Sequence, residues 1–207
     1  MSAAGPGETA VVHKERRKPG AWRRGETIVK TGKSIAASAA TACAAAALLT
    51  AAARAGGDLV AFPENYASGV LYTTVDRADN KQFRELYVSP PAAIEAAKKG
   101  EPMPSGTVIT LVQYAALLDV HGNPQIAGNG RFIKGNRVGY TVMEKRTGWG
   151  ADYPDNVRNG EWEYQAFKAD KTPNTAANLT ACFNCHKPLG AGPDYLFSYD
   201  RMKGASR

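Results

Sequence analysis

Between residues 68 and 167 the chain switches repeatedly between short apolar runs and turn-prone clusters, the pattern of a strand-rich domain. "SGVLYTTV" (68–75) and "QFRELYVS" (82–89) are rich in aromatic and β-branched residues, and the "DRADN" between them predicts a hairpin. "GTVITLVQYAALL" (106–118) predicts a third strand, followed by the turn-rich "DVHGNPQIAGNG" and a fourth extended run, "VGYTVMEKR" (138–146). "GEWEYQAF" (160–167) alternates apolar and polar residues, as a half-buried strand does. Two stretches read as helices. "PPAAIEAAKKG" (90–100) has Ser89 as a candidate N-cap, prolines in its first turn, Lys98 and Lys99 in its last and Gly100 at its end. "AANLTACFNCHK" (176–187), with Asn174 or Thr175 as cap, is the last predicted helix. The expected fold class is α+β: a mainly antiparallel sheet with a few helices, the C-terminal helix carrying a cysteine pair.

The amino-terminal quarter follows another pattern. Residues 1–54 hold nine Lys/Arg against three Asp/Glu, and "SIAASAATACAAAALLTAAA" (34–53) contains no charge. A basic region, an apolar run and the small-x-small site Ala53-Arg54-Ala55 read as a secretory signal. The expected organisation is therefore a basic arm and cleavable signal over 1–55 and one exported domain over 56–207. The alternative is an uncleaved membrane anchor, since about twenty apolar residues can span a bilayer. Against it, alanine is weakly apolar and the segment has only Ile35, Leu48 and Leu49 as large aliphatics. The 33 residues before the apolar run exceed an ordinary signal, which suggests a later translation start near Val29. Arg23-Arg24 offers a twin-arginine reading without the hydrophobic pair that normally follows.

Charge changes the picture little once it is located. Of the net +7, the first 54 residues supply +6 (nine minus three) and the rest +1 (17 basic against 16 acidic). The exported domain thus has no electrostatic footprint for nucleic acid.

The chemistry concentrates in "CFNCH", Cys182 to His186. A structural zinc site wants four ligands, and His186 stands too close to Cys185 to close a tetrahedron. A thioredoxin-like dithiol is expected near a βαβ pattern, which is not found here. A disulfide explains the cysteines but not the histidine. C-x-x-C-H is the attachment signature of c-type haem: two thiols three residues apart each form a thioether with a vinyl group, and the adjacent imidazole is the proximal iron ligand. Export agrees with this, because c-type haem is attached outside the bacterial inner membrane. One covalent haem c per chain and a periplasmic location are the expectations.

With these residues in hand, the chain from "FPENY" (62–66) to about Tyr199 resembles the cytochrome P-460 family, which includes the cytochromes c′-beta. The features that carry the resemblance are "YTTVDR" (72–77), "FRELYVSP" (83–90), "PMPSGTVI" (102–109), "VMEKRTGWGADYPDNVRNGEWEYQAF" (142–167) and "CFNCHKPL" (182–189) before "DYLFSYD". The resemblance implies a β-rich, often dimeric haem fold with His186 proximal, five-coordinate iron and a distal side left to a small ligand such as nitric oxide. Members that oxidise hydroxylamine bond a lysine to the haem after the segment matching "PSGTVIT"; the matching residue here is Leu111, which argues against that crosslink. The family's distal arginine best matches Arg84, whose plainer reading is an outward-facing strand residue.

Other residues invite weaker readings. His121 in "DVHGNP" reads as a solvated loop histidine rather than a sixth ligand. Met103, Met143 and Met202 are the candidates for His/Met ligation in a low-spin electron carrier. Trp149, Tyr153 and Trp162 read as loop anchors, and Lys187 as an exposed lysine. Two functions follow: a small-ligand haem protein, with redox turnover of nitrogen oxides or peroxide as its enzymatic form, and a periplasmic electron carrier that meets a redox partner.

Overall fold

The computed structural model describes residues 59–205. The basic arm, the apolar segment and the cleavage site all lie outside the described residues. Among the described residues no helix is long and apolar enough to cross a membrane.

Five strands form one antiparallel sheet in chain order: β1 (Val70–Arg77), β2 (Gln82–Ser89), β3 (Val108–Ala116), β4 (Lys134–Lys145) and β5 (Trp162–Lys168). The predicted β1–β2 hairpin forms, with Val75 opposite Arg84 and Arg77 opposite Gln82. β4 starts four residues earlier than its apolar pattern, because Lys134–Arg137 pairs back toward the end of β3 despite its polar sequence. The helices are α1 (Ala92–Lys99), α2 (Leu179–His186) and α3 (Tyr199–Lys203).

Alternation sends the two sides of each strand to different cores. Leu86, Val88, Ile109, Met143, Trp162 and Tyr164 belong to one cluster with α1, α2 and α3 residues. Val112, Tyr140, Val142 and Phe167 belong to a second cluster, closed by Val60, Phe62 and Tyr66 from the segment before β1. Phe62 sits edge-on to Tyr140 and Phe167, with ring centroids 4.8 and 5.2 Å apart. On that second side, the largely buried Glu85 carboxylate accepts from Lys134 at 2.7 Å and from the Tyr87 and Tyr114 hydroxyls at 3.2 Å.

α1 buries Ala93, Ile94, Ala96 and Ala97, a stripe at helical spacing, and ends at Gly100, whose φ of 76° lets its N–H reach back to the Ala96 and Ala97 carbonyls. Ser89 is not its cap: it is the last residue of β2, and Pro91 holds the N-cap position. α2 begins at Leu179 after Asn178, because the Asn174 side chain instead accepts the Ala176 N–H in a local turn. Nor is α2 the last helix. The short α3 follows it and packs on α1 and β1.

Candidate functional site

A cavity of about 480 Å³ lies between the first face of the sheet and the α2–α3 region, a size ordinary for a cofactor site. Cys182, Cys185 and His186 stand at positions i, i+3 and i+4 of α2, so the helix presents them on one side, and all three line the cavity. Phe183, on the other side, is fully buried and seats the helix. Its ring meets Tyr153 at 4.9 Å and Tyr164 at 4.7 Å. Asn159, also fully buried, donates to the Phe183 carbonyl at 3.0 Å and to the Tyr164 hydroxyl at 2.9 Å, tying α2 to β5.

The His186 ring is held from three directions. Tyr164 and Phe197 flank it at 5.2 and 5.0 Å. Its Nδ1 lies 2.6 Å from the Tyr195 carbonyl oxygen. A carbonyl only accepts, so Nδ1 carries the proton and Nε2 keeps its lone pair. Burial, opposed by that hydrogen bond, pulls the imidazole's pKa below the ordinary histidine value and favours the neutral form. A neutral imidazole with a fixed tautomer and a free Nε2 on a cavity wall is a metal ligand in waiting.

Both thiols are free, Cys182 half-buried and Cys185 exposed, and burial, helped by the neighbouring Cys185, pushes the Cys182 thiol's pKa up. Among the described residues no three His, Cys, Asp or Glu side chains converge as a metal-binding group. The donor set therefore suits a flat macrocycle gripped at separate points, two thiols and one imidazole, better than a bare ion.

The sheet supplies the opposite wall. Val75, Leu86, Ile109, Leu111 and Met143 give it an apolar surface. Leu111 is opposite Leu86 on one side and Thr141 on the other. Its neighbours Thr110 and Val112 are buried on the far side of the strand, as the strand period requires. A small polar spot remains where Gln113 donates to the Thr141 hydroxyl at 3.1 Å.

Arg84 lines the cavity too, so the outward-facing reading does not hold. The Gln82 side-chain oxygen accepts from its Nε at 3.0 Å and from a terminal nitrogen at 2.8 Å, and burial, with Arg77 nearby, lowers its pKa. Of the three methionines only Met143 reaches the cavity; Met103 and Met202 are buried in the packed core. His121 is exposed in its loop. Tyr153 and Trp162 are core residues, consistent with anchoring, whereas Trp149 packs at the edge of the second cluster. Lys187 departs from the expected exposed lysine. Half-buried, it donates to the Asp155 carbonyl and to the Arg158 carbonyl at 2.6 Å, tying the end of α2 to the loop before β5.

Sequence reasoning missed the partners of His186. The decisive acceptor is a backbone carbonyl, which leaves no residue-type signal, and Phe197 and Tyr164 look like ordinary aromatics. The only textual trace is "DYLFSYD", close behind the motif.

No curated protein matches the chain. The family model described as Cytochrome P460 matches residues 63–198, a stretch that carries both walls of the cavity except Arg201.

Proposed function

The chain belongs to the cytochrome P460 family, which makes it a c-type haem protein, and we propose that it holds one covalent haem c with His186 as the sole strong axial ligand and binds a small molecule such as nitric oxide on the opposite side. The observation that carries this reading is the His186 imidazole, fixed through Nδ1 to the Tyr195 carbonyl and facing an apolar wall across a cavity that both thiols share.

When bound, haem supplies a redox-active iron with a coordination position for a small ligand. The chain's residues do the rest. Cys182 and Cys185 would hold the macrocycle's edge, each through a thioether formed by adding its S–H across a vinyl group. The Tyr195 carbonyl holds His186 in one tautomer, so that Nε2 alone is available. Val75, Ile109 and Leu111 exclude water from the sheet side, favouring a weakly polar diatomic over a hydrated anion. Arg84, braced by Gln82, sets a cation at the edge of this region, a group suited to polarising a bound nitrogen oxide or peroxide in redox turnover. Leu111 has no nucleophilic atom, so the lysine crosslink and efficient hydroxylamine oxidation are not part of the proposal. In this reading the domain works in the periplasm after signal cleavage, without stable membrane insertion or nucleic acid, as a homodimer that exchanges electrons with a periplasmic redox partner.

One observation favours a second reading. Met143 lines the same cavity, and its thioether would complete a six-coordinate, low-spin electron carrier. Electronic and resonance Raman spectra decide between the two. High-spin five-coordinate iron that binds nitric oxide rapidly supports the first reading; low-spin six-coordinate iron in both oxidation states supports the second.

A further inference from the structure

We propose that the buried Lys145–Asp194 ion pair is the positioning device for His186: it holds the Tyr195 carbonyl against Nδ1 and thereby sets how strongly the imidazole donates to iron. The inference rests on the haem reading above and adds two residues which that reading does not use.

The carbonyl that accepts from His186 belongs to an unusual piece of backbone. Asp194 and Tyr195 have φ values of 49° and 60°, two consecutive non-glycine residues in the left-handed region. A bulky tyrosine enters that region only when its surroundings over-determine it. The surroundings are visible. Asp194 is buried, and its Oδ1 and Oδ2 accept from Lys145 Nζ at 3.0 and 2.8 Å. Oδ2 also accepts the Met103 backbone N–H at 2.8 Å. Both side chains of the pair are nearly closed to water, at 12% and 6% exposure, where a charge-assisted bond is strong and a lone charge is costly. The Tyr195 N–H donates to the Gly190 carbonyl at 2.9 Å, and its ring rests against Gly160, where a Cβ would come within 3.1 Å of it.

Lys145 is the last residue of β4 and pairs with Trp162 of β5. The pair therefore ties the loop behind α2 to the rigid end of the sheet, and the carbonyl's position is set by the sheet rather than by the loop. An acceptor on Nδ1 raises the basicity of a ligating imidazole. Loosening it lowers the donation to iron and favours the ferrous state.

The test uses the full chain carrying its haem, with Asp194→Ala, Lys145→Gln, the double variant and Lys145→Arg. Haem content by mass spectrometry is measured first; wild-type protein without haem would sink the functional reading and this inference with it, whereas a haem-loaded wild type whose variants are unshifted would sink this inference alone. The readouts are the iron–histidine stretching frequency and the reduction potential. Positioning requires the stretch to fall and the potential to rise in both single variants, with the double variant no further shifted than the larger single and Lys145→Arg near wild type. A direct effect of charge would instead raise the potential in Asp194→Ala and lower it in Lys145→Gln. Opposite signs, or an unshifted stretch in both, overturns the proposal. Should Asp194→Ala not accumulate, Lys145→Gln decides alone: a lower stretch with a higher potential supports positioning, and any other result refutes it.

Discussion

The two walls of the cavity are built by different means. The sheet wall is a regular surface: Val75, Leu86, Ile109, Leu111 and Met143 reach it because they occupy alternate positions on paired strands. Each is interchangeable in kind, since any apolar side chain of similar volume would keep the space closed. The α2 wall is irregular, an eight-residue helix followed by a loop with positive φ at Gly190, Asp194 and Tyr195. It is held by individual polar bonds: His186 to Tyr195, Asn159 to Phe183 and Tyr164, and Lys187 to the Asp155 and Arg158 carbonyls. Packing sets the room for a ligand, and the hydrogen bonds set the ligation chemistry. Substitutions on the α2 wall should therefore change identity, and those on the sheet wall should change degree.

The largest expected effect breaks the comparison at its α2 side. Replacing Cys182 and Cys185 together by Ala removes both free thiols among the described residues. Covalent haem should be lost completely, and acidified solvent should extract whatever haem the protein retains through His186. Haem that stays with the double variant after extraction would show that the attachment lies elsewhere.

A sheet-wall substitution can change identity only by importing chemistry. Leu111→Lys does this, placing an amine where the wild type presents a hydrocarbon to the cavity. Peptide mass spectrometry should find wild-type haem joined to Cys182 and Cys185 alone, with an unshifted ferrous spectrum, while the variant gains a lysine–haem bond and a red-shifted band. A wild-type haem bonded to any lysine would overturn the assignment of Leu111. A variant with no new bond would refute the positional match.

Behind the sheet wall sits a group that should make folding depend on pH. Glu163 of β5 is fully buried, and burial raises its pKa to about 7. A carboxyl whose folded pKa exceeds its unfolded value binds its proton more tightly when folded. Its contribution is thus greatest in acid and is lost as pH rises from the unfolded value of 4.5 to about 7. At 1.36 kcal/mol per unit the full loss is on the order of 3 kcal/mol. Denaturant unfolding across this range should show stability falling with pH in the wild type and a flatter profile in Glu163→Gln. Equal slopes would remove Glu163 from the account.

How much of this was legible in the sequence follows the same division. The strands were readable because alternation and turn residues are local signals, and the C-x-x-C-H motif was readable because its chemistry needs fixed spacing. The end of α2 at His186 was also close to its reading, since Lys187 and Pro188 enter a tighter turn there. The Tyr195 carbonyl was invisible, because any residue has one and only the turn aims it. Arg84 was ambiguous for a different reason. Its side on β2 follows from alternation, but which side is lined by the cavity depends on α2, which lies far along the chain. β4 was shortened because Lys134–Arg137 owes its extended form to pairing with β3, not to its own apolar pattern.

The smallest expected effect is the most informative about the sheet wall. Met143 is 7% exposed, packed in the first core cluster and open to the cavity on one side. As a gap-filler it is replaceable: Met and Leu have similar volumes, and Met143→Leu should cost less than about 1.5 kcal/mol. If the position facing His186 is left to an external ligand, the change alters no bond to iron, so the ferric and ferrous spectra and the rate of nitric oxide binding should stay as they are. If Met143 is an axial ligand, the same small change removes a thioether, converts low-spin iron to high-spin and moves the reduction potential. Thermal unfolding measured beside the spectra separates the cases. A slight loss of stability with unchanged spectra keeps Met143 within the apolar wall, whereas a spin-state change would make the sheet side a ligand-bearing wall like its partner and would favour the electron carrier.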